Sequence, residues 1–575
     1  MHLPILQPGK SMIQSIDRFG GYNHNLRIRP GEFYDMENLT SDLSPVLSVR
    51  KPRGILKQPG DVQALACKEG LCYVEGPSLY INGKKLDLHL SQNPKDCPKQ
   101  LISMGAYLII LPDRKYVNTV DPSDKGNIDC KITTSGPVSL IQCTLEGKEI
   151  RPEYAGKDTP KDPGDKSYWL DYESRSLKQY EKAADLWVEV ASPYVKLQYP
   201  GLGQGFSQFD GVELSGDPAL QDLAGSVILH SCGEDYVIFP GLIRENCTLT
   251  KPVTLERAMP RMDFCIESGN RLWGCRYGPN RRGNVVNEIY CSKLGDFKNW
   301  SCYLGISTDS YTVSLGSDGP FTGAVTYGGY PIFFKEQWVH KVFGQMPSNF
   351  SVQSTACRGV QQGSSRSLAI VREVLYYLSN QGVCAYDGSM PREVSEALGK
   401  RNFSSGVAAG CQGKYYISME EKGSWNLFVL DTEKGVWHRE DGLQAKFLCP
   451  RGEDLICADQ AGRFLSLTGK NGTKEEAPVS WMAETGIIGV NLPGNKYLGK
   501  ISLRMLLDPG SQVTVLVQYD SQGQWESLGT IQGMHLKSFT FPVLPRRCDH
   551  LRLKLQGKGP GMLFSAAKVI KPGSL

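Results

Sequence analysis

The sequence predicts an all-β protein: a β-propeller with an inserted small β-rich domain and a C-terminal antiparallel β-sandwich. Short apolar, β-branched and aromatic runs recur between Gly, Asn and Asp turns, most clearly in residues 270–395. With 62 Gly and 34 Pro among its 575 residues, the chain has the composition of many short strands joined by tight turns. Between residues 260 and 472, five successive segments each offer three or four strands over roughly 30–50 residues, the period of a propeller blade.

The propeller prediction has a physical basis in how small sheets bury their faces. A single sheet of three or four strands cannot cover both of its apolar faces, but radial stacking of several such sheets covers them. Closing the ring also protects the strand edges from pairing with other chains. Large aromatic residues in the repeated segments are therefore predicted to pack within and between blades: Trp273, Tyr290, Trp300, Trp338, Tyr376 and Tyr386.

The first half of the chain divides into three predicted parts. Residues 1–60 form an N-terminal arm or strap, which either packs on its own chain or reaches a neighbouring subunit. Residues 61–130 form a first propeller segment that includes an Asn82-Gly83 hairpin turn. Residues 131–258 are more polar and are predicted to be an inserted β-rich domain, partly helical between Ser174 and Ala184.

The second half divides into two parts. Residues 259–475 form the second propeller segment. Residues 476–575 contain seven strand candidates whose alternation suits a jelly-roll or immunoglobulin-like sandwich.

Charge and cysteine content restrict the function classes. A net charge of +4 is small for this length, which argues against a broad nucleic-acid-binding surface but leaves room for a local basic patch. The 17 cysteines are scattered singly, often within strand patterns, and are predicted to be reduced and mostly buried. No window approaches eighteen uninterrupted apolar residues, so no membrane partner is expected.

The sequence offers no pattern of catalytic, cofactor-binding or metal-ligating residues, and we expect a protein that is not an enzyme. The eight histidines are far apart, and the closest cysteine pair, Cys67 and Cys72, has no histidine nearby. Nucleophile elbows and phosphate-binding glycine loops preceding a helix are absent. Glycosidase chemistry needs two facing carboxylates, for which Asp263, Glu288 and Asp387 are unspecific candidates.

Several segments resemble a family of tailed-phage structural proteins. The N-terminal segment GGYNHNLRIRPGEFYDMENLTSDLSPVLSVRKPRG resembles that family's Gly-Gly-x-Asn opening, its acidic-x-Asn-Leu step and its Arg-x-Pro close. The middle of the chain is similar to the same group in NEIYCSKLGDFKNW, FFKEQWVHKVFGQMPSNFSV and LYYLSNQGVCAYDGSMPREVSEAL. These are β-propeller proteins described as DNA-stabilisation, tail-hub or nozzle proteins, and the resemblance covers most of residues 13–470.

The resemblance implies a non-enzymatic virion protein of the tail or head–tail junction. Several copies, with six as the expected number, would form a ring that stabilises packaged DNA and connects tail components. Its partners would be other copies of itself, the portal or adaptor, other tail proteins and, non-specifically, genomic DNA in the channel. Assembly would occur in the cytoplasm of the bacterial host, and the final location would be the virion.

Two other functions remain open at this point. One is a phage-borne propeller that binds or cleaves host-surface carbohydrate, and the other is a general propeller scaffold in a bacterial cytoplasm. Candidate subunit-interface residues are two loop arginines and six residues of the arm, whose alternative role is local turn geometry. They are Gly20, Gly21, Asn23, Glu37, Asn38, Arg50, Arg281 and Arg282.

Overall fold

The computed structural model describes residues 11–92, 99–472, 474–491, 494–533, 535–543 and 546–572. The first ten residues of the predicted N-terminal arm lie outside this part of the chain. Within it, the chain forms a seven-bladed propeller, a β-rich insertion and a two-sheet sandwich, so the predicted fold class is confirmed. Four short 3₁₀ helices accompany the strands of the described residues: Pro218–Leu220, Pro347–Asn349, Ser365–Ser367 and Glu396–Leu398.

Each blade is an antiparallel sheet whose first strand faces the centre of the ring. Blade 1 consists of Val62–Cys67, Leu71–Glu75, Ser78–Ile81 and Lys84–Asp87, and blade 2 of Gln100–Met104, Tyr107–Leu111, Lys115–Asn118 and Lys125–Asn127. Blade 3 consists of Phe264–Glu267, Leu272–Pro279, Val285–Cys291 and Tyr311–Ser314, and blade 4 of Gly323–Tyr327, Tyr330–Phe334, Trp338–Phe343 and Ser351–Ala356.

The remaining blades follow in chain order. Blade 5 consists of Ala369–Val371, Val374–Ser379, Gly382–Tyr386 and Arg392–Glu393, and blade 6 of Ser404–Cys411, Lys414–Glu421, Ser424–Asp431 and Val436–Arg439. Blade 7 consists of Ala445–Arg451, Asp454–Asp459, Phe464–Ser466, Gly54–Lys57 and Lys474–Glu475.

Every pair of neighbouring blades encloses a buried apolar cluster, including the pair that joins blade 7 to blade 1. The aromatic residues predicted to pack in blades are buried, except for Trp338, which is half-buried. One residue from each side of every interface illustrates the ring, from blades 1 and 2 round to blades 7 and 1: Val74 and Ile110, Ile109 and Tyr290, Ile289 and Phe333, Phe334 and Tyr377, Tyr376 and Tyr415, Leu427 and Cys457, Phe464 and Tyr73.

Blade 7 is completed by a strand from the other end of the chain. Gly54–Lys57 pairs antiparallel with Phe464–Ser466 and also with Lys474–Glu475. The chain then enters the inner strand of blade 1 at Val62. The ring is therefore closed by main-chain hydrogen bonds between segments about 400 residues apart in sequence, as the register Leu465 to Ile55 shows.

The insertion leaves the ring after blade 2 and returns to it before blade 3. Its two larger sheets pack face to face around a common core that includes Leu140, Val195, Leu214 and Leu255. In sheet order, the first contains Cys130–Thr133, Thr254–Arg257, Gly211–Ser215 and Gly225–Ile228. The second contains Ser231–Cys232, Tyr236–Pro240, Tyr194–Gln198, Val138–Cys143 and Cys247–Leu249.

A third, small sheet of the insertion contradicts the partial helix predicted between Ser174 and Ala184. Residues Ser176–Glu181 form its central antiparallel strand. Cross-strand packing of Leu177, which is fully buried, outweighs the helix preference of the local Lys, Glu and Ala residues. The sheet contains Tyr154–Gly156, Tyr168–Asp171, Ser176–Glu181 and Leu186–Glu189.

The sandwich contains all seven strands predicted at the C-terminus, together with five strands from the N-terminal segment. One sheet runs Leu39–Thr40, Leu47–Val49, Gly561–Pro572, Lys496–Leu507 and Lys537–Pro542, with Met12–Ile16 also paired to Gly561–Pro572. The other runs Gly21–Tyr22, Glu32–Glu37, Ser480–Thr485, Leu551–Lys558, Gln512–Tyr519 and Glu526–Gln532. The described part of the predicted arm is thus built into the sandwich, apart from the strand it gives to blade 7.

Closure of blade 7 predicts a strong effect of one added methyl group at Gly54. A Cβ at this position would lie 1.9 Å from the carbonyl oxygen of Asn471, so the strand pairing must shift to accommodate it. We expect Gly54→Ala to lower the free energy of unfolding by about 2 kcal/mol, as overpacking of a buried site does. Denaturant unfolding monitored by tryptophan fluorescence measures this change.

Gly316→Ala is the matched control, because a Cβ there meets no atom within 4 Å. Its effect should stay within about 0.5 kcal/mol. Equal stability of the two variants would contradict closure of the ring by Gly54–Lys57.

Candidate functional site: the junction of sandwich and propeller

The start of the N-terminal motif lies directly against the outer strand of blade 6. Gly21 has φ +75°, and a Cβ there would lie 2.4 Å from the carbonyl oxygen of Trp437, so only glycine allows this approach. The backbone N–H of Gly20 donates to the carbonyl of Gly31 at 2.8 Å. The Asn23 amide donates to Glu32 Oε2 at 2.8 Å, which fixes the turn that follows.

Asn38 joins three segments of the chain. It adopts a left-handed conformation with φ 57°, which asparagine tolerates better than most residues. Its backbone N–H donates to the carbonyl of Glu440 at 3.0 Å, and its side-chain amide donates to the carbonyl of Ser480 at 2.8 Å. Its Oδ1 accepts from Arg50 Nε at 2.7 Å. One residue therefore connects the arm, blade 6 and the sandwich.

Arg50 and Arg53 form a buried ion cluster with three carboxylates, which we call the junction cluster: Arg50, Arg53, Glu440, Asp441 and Glu476. Arg50 contacts Glu476 at 2.8 Å and Asp441 at 3.4 Å. Arg53 contacts Glu440 at 2.8 Å and Asp441 at 2.7 Å. Both arginine side chains are about 95% buried, being 5% and 6% exposed. The cluster lies where the chain passes from sandwich to blade 7.

The carboxylates of the junction cluster are held in the ionised form. Burial acts to raise the pKa of Asp441 and of Glu476, but the neighbouring arginine charges outweigh it and lower both values. Conversely, burial acts to lower the pKa of Arg53, and Glu440 and Asp441 raise it above its usual range. Five charged groups are thus mutually compensated out of bulk water.

Glu37 belongs to a second, more exposed group of charges at the same junction. Its carboxylate contacts Arg439 at 3.2 Å, and Arg439 also contacts Asp35 at 3.2 Å. Burial raises the pKa of Glu37 although Arg439 acts to lower it. These pairs join strand Glu32–Glu37 of the sandwich to the last strand of blade 6.

The junction cluster borders an open polar cleft of about 440 Å³ between blades 6 and 7. Besides Arg53, Asp441 and Glu476, the cleft is lined by Gln444, Gln460 and Arg463. Arg463 pairs with Asp459 at 2.7 Å, so its charge is also compensated within the chain. The cleft provides amide groups and a partly exposed charge pair to a partner.

Arg281 and Arg282 lie at the tip of the long hairpin of blade 3, where it meets the insertion. Arg281 contacts Asp129 at 3.1 Å and Glu256 at 3.7 Å. Arg282 contacts Glu213 at 2.6 Å. Both arginines therefore attach the insertion to the propeller of the same chain.

The eight predicted interface residues thus have contacts within their own chain, and their role between subunits stays a prediction. The structure brings Asn38 and Arg50 together but leaves the two loop arginines at a separate junction. Sequence reasoning missed Arg53, Glu440, Asp441 and Glu476. The signal was the charge pattern of Arg439-Glu440-Asp441, which could be recognised as buried only once the strand pairing was known.

The carboxylates considered for glycosidase chemistry each have a partner in the fold. Asp263 pairs with Arg276, Glu288 accepts from the Tyr290 hydroxyl at 2.6 Å, and Asp387 accepts from the Ser389 hydroxyl at 2.6 Å. Among the described residues, no group of three His, Cys, Asp or Glu side chains could hold a metal ion. No helix in the described parts of the chain is long and apolar enough to cross a membrane.

One face of the small third sheet carries a cluster of aromatic rings. Trp187 lies 5.5 Å from Trp169, 5.3 Å from Tyr180 and 6.0 Å from Tyr154, measured between ring centroids. Lys178 lies over the Trp169 ring at 4.9 Å. Trp169 is buried beneath the others, which are half-buried. We call this surface the aromatic face.

No protein-family model and no curated protein sequence matches the chain. Among solved structures, BamB from Moraxella catarrhalis is similar at 11% identity and a TM-score of 0.24, covering 59% of this chain and 95% of its own. PorZ, a surface component of the type-IX secretion system of Porphyromonas gingivalis, is similar at 13% identity and a TM-score of 0.26, covering 89% and 77%. An exo-β-1,3-galactanase from Phanerochaete chrysosporium is similar at 10% identity and a TM-score of 0.20, covering 53% and 94%. Similarity at this level says nothing about activity or partners.

The junction cluster predicts that Arg50→Met is strongly destabilising. The substitution keeps much of the side-chain volume but leaves Glu476 and Asn38 without their donor. Breaking a buried ion pair from one side costs about 3–5 kcal/mol of unfolding free energy. Chemical denaturation, monitored by circular dichroism, measures the loss.

Arg372→Met is the matched control, because Arg372 pairs with Glu433 at an exposed site and should contribute less than about 1 kcal/mol. The difference between the Arg50 variant and the native protein should also depend on pH. Carboxylates with lowered pKa stabilise the fold above their ordinary values, 3.8 for Asp441 and 4.5 for Glu476, and lose this contribution as pH falls through the folded pKa. A difference that does not narrow in acid would contradict the assignment.

Proposed function

We propose that this chain is a non-enzymatic structural protein of a phage or prophage virion, located at the tail or head–tail junction. Copies of it would form a ring that stabilises packaged DNA and connects tail components. The observation that carries the proposal is the position of residues 20–54. The segment that resembles tailed-phage proteins is the same segment that joins sandwich and propeller through Asn38 and the junction cluster.

A rigid connection suits a protein that transmits force within a particle. Domains of one chain usually move relative to each other when their interface is small and polar. Here, the apolar core of the sandwich is continuous with the interface between blades 5 and 6, through Tyr22, Phe33 and Met36 of the N-terminal segment. The segment also crosses between the two bodies as paired strands, which favours movement as one unit.

Exposed apolar side chains on blade 3 offer a surface for contact between subunits. Tyr303 and Ile306 are 53% and 51% exposed in the loop before the last strand of this blade, and Val285 is 81% exposed in the hairpin that carries Arg281 and Arg282. Apolar residues rimmed by charges are typical of protein–protein contacts. Portal or adaptor and tail proteins would bind the ring, and the particle would assemble in the bacterial cytoplasm.

The proposal predicts a ring in the presence of neighbouring virion proteins. The purified chain, mixed with the portal, adaptor and tail proteins encoded beside it, should form a closed oligomer, with six copies expected, in electron micrographs and mass photometry. Ile306→Lys should prevent or weaken the ring because it places a charge in the proposed contact.

Leu536→Lys is the matched control, since Leu536 is equally exposed, at 52%, but belongs to the sandwich. It should leave assembly unchanged. A chain that stays monomeric with every one of these proteins would contradict the proposal.

A second candidate function is binding of host-surface carbohydrate, and the aromatic face favours it. Rings of Trp187, Tyr180 and Tyr154 surround a basic Lys178 on one side of the sheet, with Glu189 opposite Lys178 in the strand register. Aromatic surfaces bind the apolar faces of sugar rings, and adjacent charged groups provide hydrogen bonds to hydroxyls.

Carbohydrate binding predicts a signal on a glycan array that depends on Trp187. Trp187→Ala should abolish it, at least tenfold in affinity, because the central ring of the face is removed. Tyr172→Ala, at an exposed turn of the same sheet, should have little effect. Absence of glycan binding by the native chain would exclude this second function.

A further inference from the structure

Two cysteines face each other across the interface at which the propeller ring closes. Cys67 ends the inner strand of blade 1, and Cys449 lies in the inner strand of blade 7. These strands are neighbours in the ring. The two thiols are within hydrogen-bonding distance, and the Cys449 thiol also approaches the backbone of Cys67.

The surrounding packing holds the two strands in place. Phe447 and Phe464 of blade 7 pack with Val62 and Tyr73 of blade 1 in a buried cluster. Tyr73 and Phe464 meet edge to face with their ring centroids 5.0 Å apart. A defined strand-to-strand geometry is what allows two thiols to form a disulfide without moving the backbone.

The two thiols differ in exposure and in acidity. Cys67 is partly exposed, whereas Cys449 is only 7% exposed. A hydrogen bond from the Cys449 thiol lowers the pKa of Cys67 to about 7, with help from the charge of Arg451, and raises the pKa of Cys449. Cys67 therefore has a substantial thiolate fraction near neutral pH, and Cys449 keeps its proton.

Other neighbouring thiols do not share this arrangement. Cys130 and Cys232, for example, direct their sulfur atoms to the carbonyl oxygens of Gln204 and Gly203, at 3.5 and 3.4 Å. Burial raises the pKa of both. Cys72, the other thiol of blade 1 near Cys67, also has a raised pKa and contacts backbone carbonyls.

We propose that Cys67 and Cys449 are a redox site that forms a disulfide and covalently closes the propeller ring between blades 7 and 1. Cys67 is the attacking thiol and Cys449 the resolving thiol. The oxidant is a low-molecular-weight disulfide, such as oxidised glutathione, which a particle meets when it leaves a reducing cytoplasm.

The exchange proceeds in two balanced steps. The Cys67 thiolate attacks one sulfur of the oxidant, forms a mixed disulfide and releases one glutathione thiolate. Cys449 then loses its proton to solvent, and its thiolate attacks the Cys67 sulfur. The bond between Cys67 and glutathione breaks, and its electron pair leaves with the second glutathione thiolate. The cysteine pair loses two electrons, and the oxidant gains them.

The test is oxidation of the purified, reduced, full-length chain by oxidised glutathione, followed by alkylation and mass spectrometry. We expect the native chain to lose two hydrogen atoms and to give a cross-linked peptide that joins Cys67 to Cys449. Cys449→Ser should stop at the mixed disulfide on Cys67, and Cys67→Ser should form neither product at Cys449. Cys72→Ser is the matched control and should behave as the native chain.

A thermal readout tests the closing role independently. Oxidation should raise the midpoint of thermal unfolding by about 5–10 °C, because the bond closes a long loop between the two ends of the ring. The shift should disappear with reductant and be absent in Cys449→Ser. Glutathione retained on Cys67 of the native chain, a bond between Cys67 and Cys72, or no reaction at Cys67 would overturn the proposal.

Discussion

The structure depends on one constraint: the segment of residues 20–54 must satisfy the sandwich and the propeller at the same time. Its strands pair within both sheets of the sandwich, and its last strand completes blade 7. Between these places the segment crosses the junction cluster, where Arg50 and Arg53 are buried among three carboxylates. An uncompensated charge there would cost several kcal/mol, so the segment is held in one register.

The same constraint explains why two kinds of β-structure behave as one body. A propeller can close its ring with strands from one end of the chain alone, but here, the closing strand arrives directly from the sandwich through Arg50 and Arg53. Disturbing the sandwich therefore disturbs blade 7. A tail or connector protein benefits from this coupling because forces on one domain reach the other without passing through a hinge.

Much of the architecture could be predicted because strand patterns are local. Alternating apolar residues and Gly or Asn turns located the blades, and Tyr290, Trp300 and Tyr376 are buried as expected. The sharing of strands between the N-terminal segment and the sandwich was not predictable, since pairing over hundreds of residues leaves no local signal. Similarly, the strand Ser176–Glu181 has a helix-like composition, and cross-strand packing alone decides its conformation.

The candidate site was only partly accessible from the sequence. Gly21 and Asn38 could be recognised as special turn positions, and both adopt positive φ. Their partners, Trp437 and Ser480, belong to other domains and required the structure. The most direct test of the virion assignment is mass spectrometry of purified phage particles induced from the bacterium that encodes this chain. The account predicts the chain in intact particles, in a fixed ratio to the portal and tail proteins; its absence from particles that contain those proteins would contradict it.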